Sequence, residues 1–161
     1  MSVNRLTDIP HMVEKGTRLI GLDLGTRAIG VATSDATWTV ATPVRTVIRR
    51  RLAADLQVLA DLTTELQAGG FIVGLPVQMD GSEGPRCQSV RQFVRDLTRA
   101  IPLPAAFWDE RLSTAAVERT LIAEADLSRK RRKQVVDRAA AAWILQGALD
   151  ALRFAAASDI D

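Results

Sequence analysis

The stretch Ile20-Gly21-Leu22-Asp23-Leu24-Gly25-Thr26 places one carboxylate inside an apolar, strand-like run and closes that run with a glycine turn. An ionised carboxylate buried without a partner costs on the order of several kcal/mol, so Asp23 calls for a donor, a cation or a metal. Working outward, Arg18 to Leu24 reads as a strand, Ile29 to Ser34 as a second and Val40 to Val47 as a third. Their short connections make them antiparallel neighbours, with Gly25-Thr26-Arg27 at the first turn and Ser34-Asp35-Ala36 near the second. Pro43 fits best on an exposed edge, because it has no N–H to give to a ladder.

Beyond this meander, Leu52, Leu56, Leu59 and Leu66 recur at helical spacing from Leu52 to Gln67, and Gly69-Gly70 supplies a stop. Phe71 to Leu75 is a short apolar run of the kind found in buried parallel strands, ended by Pro76. A loop from Pro76 to Pro85 precedes a helix over Arg86 to Ala100, and Pro104 to Trp108 forms another strand. Ser113 or Thr114 can cap a further helix to about Ala125. Ser128 through Lys133 reads as a basic hinge before a last helix to about Phe154. The order β-β-β-α-β-α-β-α-α predicts an α/β fold with a mixed five-stranded sheet, antiparallel first and parallel later, and helices on both faces. Residues 18–154 are expected to form one domain, between a flexible leader at 1–17 and a flexible tail at 155–161.

Composition narrows the chemistry. At 161 residues with 47% apolar content, the chain can build one sizeable core but not two lobes. Net charge is +2, yet the basic residues are eighteen arginines and three lysines, and arginine's planar fork suits phosphate oxygens. A GC-rich genome explains that bias equally well. The single cysteine, Cys87, excludes an intrachain disulfide and a thiolate zinc site, and the single histidine, His11, lies in the leader. Carboxylates remain as the chemical resource. Residues 1–17 lack the signal-peptide layout, and no apolar run approaches the ~18 residues of a membrane span, which predicts a cytoplasmic protein.

Asp137 falls on the apolar stripe of the last helix, with Ala140, Ala141, Ile144, Ala148 and Ala151, so it faces inward where small alanines permit close packing. Taken alone, it is as well explained by first-turn electrostatics or a pair with Lys133. Asp109 and Glu110 stand where a buried strand ends, the edge at which α/β folds build sites, and alternation lets one of them point inward. Here the alternative is an ion pair with Arg111. Three acids from separate strand and helix ends would make an oxygen-ligand cluster for Mg²⁺ or Mn²⁺, of the two-metal kind that cuts phosphodiesters.

The turn Gly21-x-Asp23-x-Gly25-Thr26 also reads as a phosphate-binding loop. The basic run Arg129-Lys130-Arg131-Arg132-Lys133, just before Asp137, could hold a nucleic-acid backbone or be a solvated hinge. Arg49-Arg50-Arg51 invites the same two readings at a helix start, where the dipole disfavours cations. Trp38, Trp108 and Trp143 read as core or strand-edge aromatics.

Four ordered motifs carry a family resemblance: Gly21-Leu22-Asp23-Leu24-Gly25-Thr26-Arg27-Ala28-Ile29-Gly30; Val73-Gly74-Leu75-Pro76 with Met79-Asp80-Gly81-Ser82-Glu83-Gly84; Asp109-Glu110-Arg111-Leu112-Ser113-Thr114; and Asp137-x-x-Ala140-Ala141-x-x-Ile144-Leu145-Gln146. From about Arg18 to Leu152 the chain resembles the YqgF family, also called RuvX. That resemblance implies a ribonuclease H-like fold, relatedness to RuvC Holliday-junction resolvases and a role in trimming the 5′ end of the small-subunit (16S) rRNA precursor. Carried over by residue, it makes Asp23, one or both of Asp109 and Glu110, and Asp137 the catalytic and metal-binding candidates. Thr26, Arg27, Arg111 and the run Arg129, Lys130, Arg131, Arg132 and Lys133 become the contacts to structured RNA or branched DNA. RuvC takes its second acid from an earlier strand, where this chain has Gly74-Leu75-Pro76.

The implied partners are nucleic acid and ribosomal precursor particles, for a monomer or homodimer with no membrane association. The Pro76 to Pro85 loop is expected to be a mobile wall of the site. Two other functions fit parts of the sequence: a non-catalytic nucleic-acid-binding factor in ribosome maturation or transcription, and a phosphate-loop ATPase of the actin, sugar-kinase or Hsp70 type. The ATPase needs a second lobe that this length does not supply.

Overall fold

Alternation along β2 (Arg18–Leu24) sends Ile20, Leu22 and Leu24 into one core and Leu19 into another, so the strand is buried on both faces. The structure, a computed structural model, describes residues 3–112 and 129–159. β2 pairs antiparallel with β3 (Ala28–Ser34), which pairs antiparallel with β4 (Ala41–Ile48), giving the expected meander. On its other side β2 runs parallel to β5 (Ala68–Leu75), and β5 runs parallel to β6 (Ala105–Asp109). Pro43 lies exposed on β4, at one end of the sheet, beside a register shift that skips Val44.

The sheet has six strands rather than five, in the order β1-β6-β5-β2-β3-β4, because β1 (Val3–Asn4) adds parallel to β6. The segment expected as a flexible leader is therefore docked. Its short helix α1 (Ile9–Met12) buries Ile9 completely, and Val13 packs beside it. Gly69 and Gly70 make this possible: a side chain at either would run into Val13, and one at Gly69 also into Thr17. They are strand residues rather than the helix stop, a role taken by Gln67 in the left-handed region at φ 53°.

Helices α2 (Leu52–Glu65) and α3 (Pro85–Ala100) cover one face through Leu59, Leu62, Phe93, Val94 and Leu97. Helix α4 (Arg129–Asp159) covers the other face with Ala141, Ile144, Leu145, Ala148 and Leu149. Each large apolar side chain so buried contributes about 1.5–3 kcal/mol. Gln146 latches α4 to the meander by accepting from Ala41 N–H at 2.9 Å and donating to the Thr39 carbonyl at 3.0 Å.

Helix α4 begins at Arg129, so the basic run expected as a hinge forms its first turns, and the helix continues through the expected tail to Asp159. The helix expected from Ser113 or Thr114 to Ala125 lies outside the described residues. Among the described residues, no helix is long and apolar enough to cross a membrane.

Candidate active site

Asp23 sits one residue before the end of β2, only 7% exposed, and by alternation it points to the face that α4 covers. Both flanking strands present a glycine there. Gly30 is its cross-strand partner on β3, and Gly74 on β5 lies one step past the Leu22–Val73 pair. A Cβ at Gly30 would overlap the backbone of Asp137, so α4 rests directly on β3 at the residue that carries the second acid. A Cβ at Gly74 would lie 2.6 Å from Oε1 of Glu110. The two missing side chains thus leave room for the side chain of Glu110 on one strand flanking β2 and for the backbone of Asp137 on the other.

The Asp109-Glu110 pair divides. Trp108 points to the α4 face, so Asp109 at the strand end points to the opposite one, where Arg111 grips it in a fork. Arg111 donates through NH2 to Oδ2 at 2.7 Å and through Nε at 3.0 Å, while its backbone N–H reaches Oδ1 at 2.9 Å. These bonds, the side-chain ones first, hold the Asp109 carboxyl below the usual carboxylate range. Glu110, one step further on, begins the 3₁₀ turn Glu110–Leu112 and falls back on the α4 side, where its side chain lies against Gly74.

Among the basic candidates, Thr26 and Arg27 are exposed on the β2–β3 turn and line a hollow with Gly25, Ala28, Arg86 and Asp137. Arg111 is the partner of Asp109. Arg131 is exposed on the first turns of α4. Arg129, Lys130, Arg132 and Lys133 share those turns, and their side chains lie outside the described ones. Arg86, which also lines this hollow, lies in the first turn of α3, where the helix dipole opposes a cation.

The loop from Pro76 to Pro85 carries its own turns. Gln78 N–H donates to the Ser82 carbonyl and Gly81 N–H to the Gln78 carbonyl, both at 2.9 Å, and Glu83 binds Arg91 at 2.7 Å. Gly81 takes φ 88°, a conformation that favours glycine.

Comparison with known proteins identifies the family and the fold. A model of the RuvX family, described as Holliday junction resolvase, matches residues 17–151. A Rhodospirillum rubrum protein is 56% identical over 152 residues, 94% of each chain, and a Rhodobacter capsulatus protein is 59% identical over 134 residues, 83% of this chain and 84% of the relative. Both bear the provisional name pre-16S rRNA nuclease. Among solved structures, Thermus thermophilus RuvC superposes with a TM-score of 0.55 at 13% identity, covering 86% of this chain and 97% of RuvC. RuvC in complex with a Holliday junction substrate gives 0.52 at 10% identity, covering 84% and 94%, and at such identities the likeness is one of fold. With a family model matched over residues 17–151 and relatives more than half identical over most of its length, the chain belongs to the RuvX family.

Proposed function

We propose that the chain is a divalent-metal-dependent nuclease that hydrolyses phosphodiester bonds in 5′-end maturation of the 16S rRNA precursor, acting on structured RNA or precursor particles in the cytoplasm. The observation that carries this reading is that the strands flanking Asp23 carry glycines, against which lie the side chain of Glu110 at Gly74 and the backbone of Asp137 at Gly30. The names of the relatives supply the substrate class.

The donor chemistry fits Mg²⁺ or Mn²⁺, which prefer oxygen ligands. Among the described residues, no three acids, histidines or cysteines close around a single point. Mg²⁺ is commonly held by one or two carboxylates, with water and substrate phosphates completing its shell. A bound cation supplies the positive charge that neutralises the scissile phosphate and activates a nucleophilic water. Asp23, fixed in a central strand, anchors the position, while Glu110 and Asp137 complete the donor set. Asp109 is assigned to Arg111 instead. Thr26 and Arg27, exposed beside Asp137, orient the incoming backbone.

The test is cleavage of an RNA spanning the precursor leader and the mature 16S 5′ end, alongside a four-way DNA junction, with Mg²⁺, Mn²⁺ or EDTA. RNA cleavage that needs Mg²⁺ or Mn²⁺ is expected. Faster cleavage of the DNA junction would favour the resolvase activity named in the family description. Salt-sensitive RNA binding without cleavage under any cation would make the protein a non-catalytic binding factor.

A further inference from the structure

On the other side of the Gly25–Thr26 turn lies a second pocket, of about 160 Å³, whose polar lining is Thr26, Arg49, Arg86 and Ser89. It shares Gly25, Thr26 and Arg86 with the hollow that reaches Asp137, so the two pockets adjoin at the turn that follows Asp23. We propose that this pocket is a second phosphate subsite, which holds a backbone phosphate of the strand being cut while the scissile phosphate lies at the acids. The proposal rests on the nuclease reading.

Its arginines are placed as an anion site requires. Arg49 is held in position: NH1 donates to the Gly25 carbonyl at 2.8 Å, and the guanidinium lies 5.3 Å from the centroid of the Phe93 ring. Neither Arg49 nor Arg86 has a carboxylate partner among the described residues, whereas Arg91 is bound to Glu83, Arg111 to Asp109 and Arg153 to Asp150. Two cations lining one small pocket repel each other, and Arg86 also sits in the first turn of α3, where the helix dipole opposes it. An anion between them removes both penalties.

The forked guanidinium matches phosphate oxygens, and the Thr26 and Ser89 hydroxyls add donors. At about 160 Å³ the pocket is smaller than the ~300 Å³ at which small-molecule sites begin, so it suits a phosphate group rather than a whole nucleotide. Because Arg49 also grips the carbonyl of Gly25, two residues past Asp23, a phosphate seated there bears directly on the turn that follows the acid.

The experiment measures RNA binding in EDTA, where no cleavage intervenes, across a salt series, using the 16S precursor RNA described above. Arg86→Ala is expected to weaken binding about tenfold and to lower the slope of log K against log salt by ~0.7, the value for one single-strand phosphate contact. Arg86→Lys should restore the slope, and Arg91→Ala, whose guanidinium is already paired, should leave it unchanged. A scan of single neutral methylphosphonate linkages should find one position that weakens binding to wild type but not to Arg86→Ala.

An unchanged slope in Arg86→Ala, with the thermal midpoint intact, overturns the subsite even if the RNA is cleaved. So does a scan with no position that depends on Arg86. If the slope falls and the scan shows such a position but no cation supports cleavage, the pocket is a phosphate contact of a binding protein, and the nuclease reading fails while the contact itself stands.

Discussion

Asp23 and Gly30 face each other across the β2–β3 pair, and the space a side chain at Gly30 would fill is taken by the backbone of Asp137. The helix that carries the second acid is therefore seated by the absence of one Cβ beside the first.

Gly30→Ala has a backbone carbonyl in its way, which cannot rotate aside as a side chain would. Overpacking of this kind costs about 1–3 kcal/mol, or roughly 2–12 °C in thermal midpoint for a chain of this size. Calorimetry should show that loss, with cleavage reduced further than stability as α4 lifts from the sheet. A midpoint equal to wild type would show that α4 does not rest on this strand.

Gly74→Ala meets the movable carboxylate of Glu110 and the Cδ1 of Ile144, each at 2.6 Å, so side chains can yield. The stability cost should stay near ~1 kcal/mol, while displacing a carboxylate of the proposed metal site should lower the cleavage rate by about tenfold to ~10²-fold, the scale of a 1 Å misplacement. Single-turnover cleavage and thermal denaturation of one preparation separate the two effects. Equal cleavage rates would remove Glu110 from the site.

Asp109→Asn removes charge from a fork whose members are 23% and 35% exposed, so it should cost no more than about 1 kcal/mol. Cleavage should remain within about threefold of wild type, because Asp109 faces away from Asp23; that factor corresponds to less than ~1 kcal/mol of transition-state stabilisation. Steady-state rates for Asp109→Asn and Glu110→Gln measured together decide which acid of the pair serves the site.

Asp35 organises the β3–β4 turn by accepting from the Thr37 hydroxyl at 2.7 Å and from the N–H groups of Thr39 at 2.7 Å and Val40 at 3.1 Å. These bonds, Thr37 first, lower its pKa to about 2. A carboxyl whose folded pKa is depressed stabilises the fold above its unfolded value of ~4, and that stability is lost as pH falls through the folded value. Urea midpoints should therefore drop between about pH 4 and pH 2 more steeply in wild type than in Asp35→Asn. Parallel profiles would contradict the assignment.

Much of this site could be read in the chain, for local reasons. Strand alternation and a glycine turn placed Asp23, and the alanine stripe turned Asp137 inward, because both follow from fixed periods of two and 3.6 residues. The choice between Asp109 and Glu110 was not legible, since alternation separates the two acids but only the packing of Trp108 against α4 decides which of them shares the face of Asp23. The docked N-terminal segment escaped notice because a helix as short as Ile9–Met12 shows no period, and its receptor is the pair Gly69 and Gly70, whose missing side chains look like a helix stop. Arg86 escaped because the pocket it lines together with Arg49 is made only by the fold.

The most direct test is single-turnover cleavage of the 16S precursor RNA in Mg²⁺ by wild type, Asp23→Asn, Glu110→Gln and Asp137→Asn, each first shown to be folded. Asp23→Asn should lose at least ~10²-fold in rate, several kcal/mol of transition-state stabilisation, with Glu110→Gln and Asp137→Asn also strongly impaired. Cleavage by folded Asp23→Asn at the wild-type rate would contradict the assignment of a catalytic site to the carboxylate at the end of β2.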